Sequence, residues 1–449
     1  MKPYRILSLD GGGTWALIQV IALQAIYGQG ARGHQILNEF DLVAGNSGGS
    51  ITMGGLLTNK PLDEVLAMFL DQANRTQVFA HLEPFTLDPG SKPFKTMWNR
   101  LLHRFAGVGA KYKTEAKLDG LRRLLGEDYA DQSLFQHHQE LSRLYGRSPH
   151  FLICGFDYDR KRAKFFRSNL WSLSGSVQTV APGDGIRQHD VRLPASTGEA
   201  TLAQAIHASS NAPVSFFMSP AEIKSASGAR LERYWDGAIA GYNNPVLAAV
   251  TEALANERYH PNSGIEVLSL GTGTVSLPDR EGEVSREQKA LTRGRRESTV
   301  HGDLKQLAMS ILDDPPDSAT FTAHVVLRQP IPDPFSTPPI RPPVSGSVIR
   351  MSPVVRPVRD PADGGWRPPG DFTIPEFLTL RELDLDAVAE PEVLLLAKLG
   401  RQWVEDRIAN QPIRENRNFE CQIGHAKFSE ARDAWIALVR RAPREGAAA

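Results

Sequence analysis

The sequence predicts an α/β layer fold with a largely parallel central sheet. Through residue 275, short apolar and β-branched runs alternate with longer stretches whose apolar residues recur at helical spacing. Helices that connect consecutive buried strands favour parallel pairing, because each helix returns the chain to the edge where the next strand begins. The predicted strands are Tyr4–Leu9, Phe40–Ala44, Phe151–Phe156, Ala163–Phe166 and Ile265–Leu270. The predicted helices are Thr14–Tyr27, Gly49–Leu57, Leu62–Gln72, Lys117–Leu125, Leu202–Ser209 and Pro245–Asn256.

The composition is that of an ordinary globular protein and excludes several classes. The 449 residues carry 51 basic and 51 acidic side chains, so electrostatic capture of a nucleic-acid polymer is not expected. Cys154 and Cys421 alone predict neither a disulfide framework nor a zinc site. The apolar stretch from Trp15 to Tyr27 is shorter than the ~20 residues of a membrane span, and the N-terminus shows no secretory signal. We therefore expect a cytoplasmic protein.

The C-terminal part has a different texture. Twelve prolines lie between Pro330 and Pro369, which excludes a continuous helix and favours a lid, a binding loop or a linker. Regular structure is predicted to resume at Val348–Met351. Apolar residues at four-residue spacing predict a buried helix within Pro391–Arg407, and a further helix is predicted at Phe428–Arg440.

The strongest chemical motif is Gly45-Asn46-Ser47-Gly48-Gly49, between a predicted strand and a predicted helix. Gly-x-Ser-x-Gly in this context is the pattern of a nucleophile elbow, whose sharp turn requires residues without bulk, such as Gly45 and Gly49, on either side of the serine. Ser47 would then be a nucleophile held at the top of the sheet. A glycine-rich turn with Ser47 as a helix N-cap is the alternative.

A second motif, Asp10-Gly11-Gly12-Gly13-Thr14, follows the first predicted strand. Successive backbone N–H groups in such a loop can bind one anion, either a phosphate or the oxyanion of an acyl intermediate. The loop alone does not distinguish these ligands.

A third motif, Tyr234-Trp235-Asp236-Gly237-Ala238, places a carboxylate at the end of an apolar run. Asp236 can be a turn residue, an N-cap or a catalytic group. His207 and His301 could complete a Ser-His-Asp triad, but nothing local singles them out. The pair His137-His138 belongs to no His-Glu-x-x-His motif, so no metal site is expected.

Taken in order, these motifs resemble the patatin-like phospholipase family. The resemblance covers residues 4–274 and extends to about residue 410. It implies a patatin-like three-layer α/β/α domain over residues 1–410, with a Pro-rich insertion at about 330–369, followed by a helical extension and tail over 411–449. The blocks that carry it are Asp10–Gly13, Gly45–Gly49, Phe151–Asp157 with Lys164–Phe166, Ala208–Pro213 with Phe216-Phe217, Asp236–Ala238 with Asn244-Pro245, and Ser269–Gly273.

The resemblance also implies a chemistry. Ser47 would be the nucleophile and Asp236 the general base of a dyad, with the amides of Gly11–Gly13 as the oxyanion hole. The implied activity is that of a serine esterase of the phospholipase A type, which cleaves acyl esters of membrane phospholipids through an acyl-enzyme, without a metal or other cofactor. Such an enzyme would associate peripherally with the membrane when active.

One departure from the family pattern comes directly after Asp10–Gly13, which we call the glycine loop. The family usually continues with any residue, then Arg or Lys, then Gly, whereas this chain has Thr14, Trp15 and Ala16. Because the oxyanion donors are backbone N–H groups, loss of the cation should not abolish the hole. It is expected to alter the packing or the headgroup contacts.

Regulation and two rival functions stay open. Bacterial relatives include standalone lipases, secreted toxins and antiphage effectors activated by cyclic nucleotides through self-assembly, so a cyclic-nucleotide activator and a homo-oligomer are hypotheses. Asp10–Thr14 and Gly271-Thr272-Gly273 are also similar to the phosphate loops of acetate and sugar kinases and actin-like ATPases (the ASKHA class). In that class the chain after Thr14 returns as an antiparallel strand. The second rival is a non-catalytic protein of the same fold that binds lipid or a partner.

Overall fold

A computed structural model describes residues 2–78, 114–168, 200–213, 216–217, 219–224, 231–255, 264–280, 282, 284–294, 316–383, 386–416 and 421–441. Numbered in chain order, the strands are β1 (Tyr4–Leu9), β2 (Leu42–Gly45), β3 (His150–Asp157), β4 (Arg162–Arg167), β5 (Ala221–Lys224), β6 (Leu231–Asp236), β7 (Ile265–Leu270), β8 (Thr274–Val275), β9 (Val348–Met351), β10 (Pro353–Val355), β11 (Val358–Arg359), β12 (Trp366–Arg367), β13 (Ala409–Asn410), β14 (Arg414–Asn416) and β15 (Cys421–Ile423).

The α-helices surround these strands, and two 3₁₀ turns, Gly13–Ala16 and Gly237–Ala240, follow β1 and β6. Within the described ranges no helix has both the length and the apolar character needed to cross a bilayer. The helices are α1 (Leu17–Tyr27), α2 (Gly33–Leu37), α3 (Gly48–Leu57), α4 (Leu62–Leu70), α5 (Gln72–Val78), α6 (Thr114–Leu125), α7 (Glu127–Ala130), α8 (Leu134–Tyr145), α9 (Leu202–Ser209), α10 (Val246–Ala255), α11 (Arg286–Leu291), α12 (Pro316–Val326), α13 (Ile374–Glu382), α14 (Glu390–Val404) and α15 (Phe428–Arg441).

In the main sheet each strand of the series β5-β6-β3-β2-β1-β7-β9 pairs with the next one, and β4 also pairs with β3. β1 pairs in parallel with β2 and β7, and the parallel pairing continues to β3 on one side and β9 on the other. The pairs β3–β4, β3–β6 and β5–β6 are antiparallel. The predicted α/β class with a largely parallel central sheet is therefore confirmed.

Both faces of the sheet are covered by helices, which gives the three layers. Successive side chains of a strand point to opposite faces. Leu7 and Leu9 of β1 accordingly lie in one hydrophobic core with α1, α4 and α14, whereas Tyr4 and Ile6 lie in a second core with α10 and α12. Burial on both faces explains why β1 is a nearly continuous apolar run rather than an alternating one.

The sheet register brings β6 to the end of β2. Gly155 of β3 pairs with β4 and also with Asp236 of β6, so β4 and β6 lie on opposite edges of β3. Ile153 pairs with β4 and with Gly45 of β2, so β2 also lies opposite β4. β2 and β6 therefore lie along the same edge of β3. Because β6 runs antiparallel to β3, its last residue lies next to the C-terminal end of β2. Asp236 consequently faces the turn that follows Gly45.

Several predicted elements have the expected bounds, notably Tyr4–Leu9, Leu202–Ser209, Ile265–Leu270 and Val348–Met351. The predicted helix Thr14–Tyr27 instead begins as a 3₁₀ turn and becomes α-helical at Leu17. This helix contradicts the kinase hypothesis, which requires an antiparallel strand after Thr14.

The Pro-rich segment contains no helix within Pro330–Pro369, as predicted. Its first part pairs Asp333 with Ile340 and leaves the Phe335 side chain 93% exposed. That part leads into the N-terminal end of β9, whereas the elbow follows the C-terminal end of β2. Because β9 and β2 run in the same direction, the chain that follows the Pro-rich turn enters β9 at the end of the sheet opposite the elbow.

The C-terminal helix α15 packs onto the same core as the sheet. Trp435 is fully buried and stacks on Phe40 at a centroid separation of 5.7 Å, and its Nε1–H donates to the Tyr27 hydroxyl. The buried Arg5 of β1 pairs with Glu266 at 2.9 Å and donates to the Val439 carbonyl. The proposed domain boundary near residue 410 stays a prediction, and the predicted tail at 442–449 lies outside the described residues.

We predict that Trp435→Ala lowers the free energy of unfolding by about 3–5 kcal/mol, because a large buried ring is lost and a cavity remains. The matched control Phe335→Ala removes an exposed ring and should change stability by about 0.5 kcal/mol or less. Urea unfolding followed by fluorescence and circular dichroism measures both. Equal effects of the two substitutions would contradict the packing described for α15.

Candidate active site

Ser47 occupies the sharp turn between β2 and α3. Its backbone has a φ of 48°, which a residue with a Cβ adopts only under strain. Ser47 stands at the N-cap position of α3, yet its side chain makes no capping hydrogen bond. The hydroxyl is therefore not occupied by the helix terminus, which contradicts the alternative of a simple capping serine.

The glycines after Ser47 allow the elbow to pack against the glycine loop. A Cβ at Gly48 would lie 2.4 Å from the Gly13 carbonyl oxygen, and a Cβ at Gly49 would lie 2.3 Å from the Leu9 carbonyl oxygen. Gly45 is also crowded, since its Cβ would lie 3.0 Å from the Cα of Ser50. Larger residues at these positions would push the elbow away from the loop.

Asp236 is 3% exposed and stands at the end of β6. Its Oδ1 accepts hydrogen bonds from the Ala238 amide at 2.9 Å and from the Asn46 side-chain amide at 3.0 Å. The Ser47 side chain lies close enough to the carboxyl group to act on its pKa. Asp236 is thus an N-cap of the following 3₁₀ turn and at the same time contacts the predicted nucleophile.

Burial raises the pKa of Asp236 above its ordinary value, because a carboxylate loses solvation inside the protein. The hydrogen bonds from Ala238, Ser47 and Asn46 and the charge of Lys117 oppose this rise. A raised pKa makes the carboxylate a stronger base than an exposed aspartate, which is the property that proton transfer from a serine requires.

Lys117 of α6 is a fully buried cation close to this carboxyl group. Burial lowers the pKa of Lys117 to about 7, although attraction by Asp236 acts in the opposite direction. The ammonium group donates to the Ser210 carbonyl and lies 4.2 Å from the centre of the Phe217 ring. These contacts offset part of the cost of burying the charge.

Hydrogen bonds from the backbone and from a side chain fix the start of the glycine loop. The Asp10 amide donates to the Leu270 carbonyl at 3.0 Å, and the Gln19 side chain donates to the Asp10 carbonyl at 2.8 Å. The Gly11 amide donates to the Asn243 carbonyl at 2.8 Å. Gly11 is therefore engaged within the fold and is not poised to donate to a substrate.

The next two glycines keep their amides available. Among the hydrogen bonds of the described residues, none uses the N–H of Gly12 or Gly13. Gly13 has a φ of 55°, which favours glycine and turns the loop into the 3₁₀ segment over α3. Of the three predicted oxyanion donors, Gly12 and Gly13 therefore remain candidates, whereas the Gly11 amide is already used within the fold.

A buried ion pair connects the start of the same loop to β9, which is separated from β1 by β7 in the main sheet. Arg350 of β9 pairs with Asp10 through a 2.6 Å contact and also donates to the Ser269 hydroxyl at 2.9 Å. Both charged side chains are at most 3% exposed. At the position where the family has a basic residue, Trp15 is buried in the hydrophobic core.

The histidines take no part in the site as described. His207 is buried, and its pKa is lowered to about 3 by burial and by the charge of Lys117, so it is neutral at physiological pH. No contact joins it to Ser47 or Asp236 within the described residues. His137 and His138 donate to the Tyr129 and Pro149 carbonyls, respectively. His301 lies outside the described residues.

Sequence reasoning missed four residues that the fold brings to the site: Asn46, Lys117, Ser209 and Arg350. Ser209 accepts a hydrogen bond from the Ser47 amide at 2.9 Å and ends α9, within the Ala208–Pro213 block of the resemblance. Asn46 is a polar residue inside the elbow motif, which is a signal that the sequence does contain. For Lys117 and Arg350 the sequence offers no signal, because their partners are distant in the chain.

Comparison with known proteins identifies a related family. The family description "Patatin-like phospholipase" matches residues 7–250, which is more than half of the chain. A search of curated protein sequences gave no significant match.

Solved structures give weaker likenesses. VipD from Legionella pneumophila is 11% identical, with 89% of this chain and 67% of that chain covered and a TM-score of 0.31. Human GIVD cytosolic phospholipase A2 in complex with methyl gamma-linolenyl fluorophosphonate is 19% identical, with a TM-score of 0.21. That alignment covers 37% of this chain and 23% of the human one. At these scores the structural likenesses carry no argument about the site.

We predict that Asp10→Asn lowers the free energy of unfolding by about 3–5 kcal/mol, because it leaves the Arg350 cation buried beside a neutral group. Arg350→Met should be similarly harmful. The double variant should lose clearly less than the sum of the two single losses, since each single change already removes the interaction. Urea unfolding of all four proteins completes the cycle, and additive losses would contradict a coupled pair.

We predict that Lys117→Met stabilises the protein most at and below about pH 7. Burial lowers the lysine pKa from 10.5 to about 7, so between these values the folded state binds fewer protons than the unfolded state, and wild-type stability rises with pH. Methionine does not titrate, so the advantage of the variant should shrink as the pH rises through this window. Urea unfolding at about pH 6 and pH 10 measures it, with the exposed Lys427→Met as control. A pH-independent difference for Lys117→Met would count against a charged, buried lysine.

Proposed function

The chain belongs to the patatin-like phospholipase family, and from that premise we propose that it is a lipid acyl hydrolase of the phospholipase A type. The observation that carries the proposal is the strained Ser47 of the elbow together with the buried Asp236, whose carboxyl group is bound by the neighbouring residue Asn46. A serine beside a positioned base, at an elbow between a strand and a helix, is the arrangement of a nucleophile ready for acyl transfer.

In the proposed first step, the Ser47 Oγ attacks the carbonyl carbon of an acyl ester. Its proton passes to the Asp236 carboxylate while the carbonyl π electrons move onto oxygen. When the tetrahedral intermediate collapses, the bond to the alcohol breaks and the leaving oxygen takes the proton from Asp236. The product of this step is an acyl-enzyme on Ser47 and a released lysolipid alcohol.

In the second step, water replaces the alcohol. Asp236 accepts a proton from the water as its oxygen attacks the acyl carbon, and Ser47 recovers the proton when the acyl-enzyme breaks down to a fatty acid. A carboxylate with a raised pKa suits both roles, because it accepts the proton readily and still returns it near neutral pH.

The negative charge on the intermediate's oxygen requires donors that are in place before the reaction. The amides of Gly12 and Gly13 are the proposed donors, and the loop that holds them contacts the elbow at Gly48. Preorganised donors of this kind contribute about 3–4 kcal/mol each to the transition state. The Asp10–Arg350 pair supports this role because it fixes the start of the loop.

The proposed substrate is a membrane phospholipid, and the proposed place of action is the cytoplasmic membrane surface, with peripheral association. These proposals draw on the family's substrate class. Activation by a cyclic nucleotide, an antiphage role and a homo-oligomer stay predictions from the resemblance. The non-catalytic alternative is less well supported, because a strained serine, a buried aspartate beside it and the unengaged amides of Gly12 and Gly13 favour catalysis.

We predict that Ser47→Ala reduces hydrolysis of a phospholipid and of a short-chain fluorogenic ester by about 10⁴-fold or more, since the acyl acceptor is removed. Asp236→Asn should reduce it by about 10²–10⁴-fold, because the isosteric amide cannot take the proton. Initial rates with both substrates measure the effect, and circular dichroism checks that the fold is retained.

Matched controls are Ser133→Ala, which removes an N-cap of α8, and Asp131→Asn, which removes a surface partner of Arg122. Both should keep wild-type rates. Hydrolysis that persists in Ser47→Ala, or an inactive wild type on every acyl ester tried, would overturn the proposed function.

A further inference from the structure

Asn46 lies between the proposed nucleophile and the proposed base, and sequence reasoning assigned it no role. It is fully buried, and its backbone is fixed because its amide donates to the Leu9 carbonyl at 3.1 Å and its carbonyl accepts from the Gly49 amide at 2.8 Å. The residue directly before Ser47 is therefore held by β1 on one side and by α3 on the other.

The side chain of Asn46 has a single orientation that satisfies its neighbours. Its Nδ2 donates to the Asp236 Oδ1 at 3.0 Å, and its Oδ1 accepts from the Ser209 hydroxyl at 3.4 Å. A flipped amide would place its oxygen against the carboxylate oxygen and its NH₂ group against Ser209. The Ser209 hydroxyl also accepts a hydrogen bond from the Ser47 amide. A continuous chain of hydrogen bonds therefore joins the proposed nucleophile, through Ser209 and Asn46, to the proposed base.

The close approach of the neighbouring backbone keeps this contact in place. A Cβ at Gly237 would lie 2.4 Å from the Asn46 Oδ1, and a Cβ at Gly11 would lie 2.8 Å from its Nδ2. Only glycine on both sides lets the amide reach the carboxyl group. Asn46 therefore has little freedom to move away from Asp236.

We propose that Asn46 is a positioning residue for the acyl-transfer reaction: it holds the Asp236 carboxyl group by one oxygen and leaves the other oxygen directed at the proton of Ser47. This inference rests on the proposed function, which supplies the role of Asp236. The Ala238 amide and the Asn46 side chain together occupy Oδ1, so Oδ2 keeps the capacity to accept the serine proton. A donor beside the carboxylate also stabilises its ionised form.

Other groups that act on the same carboxyl group are few among the described residues. Lys117 of α6 attracts it, and Cys154 of β3 lies close enough to interact with it. Burial raises the pKa of the Cys154 thiol, so that thiol stays neutral near physiological pH. The Ser47 hydroxyl from the start of α3 does not titrate. A change at Asn46 can therefore be distinguished from the titration of Lys117 by keeping Lys117 intact.

The test is a series at residue 46 with the pH dependence of kcat/KM as its readout. Asn46→Ala removes the donor and should move the acid limb to higher pH by about one unit, because the carboxylate loses one stabilising hydrogen bond. Asn46→Asp is isosteric but places a second carboxyl group beside Asp236, and it should move the limb further. On the plateau, kcat should fall about 10-fold in Asn46→Ala with KM nearly unchanged.

The matched control is Thr58→Val, an isosteric change that removes one buried hydrogen bond at the far end of α3. It should lower stability and leave the acid limb where it is. Asn46 has only a structural role if the acid limb does not move to higher pH in the order wild type, Asn46→Ala, Asn46→Asp. The same conclusion follows if Thr58→Val moves the acid limb as far as Asn46→Ala does.

A second readout does not require turnover. Infrared difference spectra between each protein and its Asp236→Asn counterpart report ionisation of the carboxyl group as the pH changes. The same order of pKa values is expected there. An inactive wild type with this order would overturn the proposed function and leave only the effect of Asn46 on the ionisation of the Asp236 carboxyl group, whereas an active wild type with one common pKa would overturn the positioning role of Asn46.

Discussion

The burial of the Asp236 carboxyl group is the constraint on which the site depends. A carboxylate removed from water is costly unless hydrogen bonds and charge replace its solvation. Here Asn46 and Ala238 occupy one oxygen, Ser47 contacts the group, and Lys117 attracts it from α6. These groups oppose a rise in pKa that burial imposes. The balance leaves a carboxyl group that is a stronger base than an exposed aspartate but can still ionise, which suits the proposed two-residue mechanism without histidine.

The sheet topology makes this balance possible, because it brings three separate parts of the chain together. β2 and β6 share one edge of β3, so the elbow and the base meet end to end. The glycine loop follows the neighbouring strand β1, and its start is fixed by Arg350 of β9. Each contact is made between residues that are far apart in sequence. The site therefore depends on the complete sheet and not on the elbow alone.

This dependence explains what could be predicted from the sequence. β1 and β7 were predicted at their observed bounds because strands buried on both faces are predominantly apolar. β5 and β6 were missed, because many of their residues are exposed or half-buried and carry charge. The glycines and serine of the elbow are local requirements and are readable. The loss of Gly11 as a donor is not, since its partner, the Asn243 carbonyl, becomes adjacent only in the fold.

The central claim is that Ser47 is a nucleophile activated by Asp236, and covalent labelling tests it most directly. The protein would be treated with a fluorophosphonate ester, which phosphonylates an activated serine, and intact mass and peptide mass spectra would locate the product. We predict one phosphonyl group, on Ser47, formed much more slowly in Asp236→Asn and absent in Ser47→Ala. Labelling of another residue, or labelling of Ser47 at an equal rate in Asp236→Asn, would contradict the account.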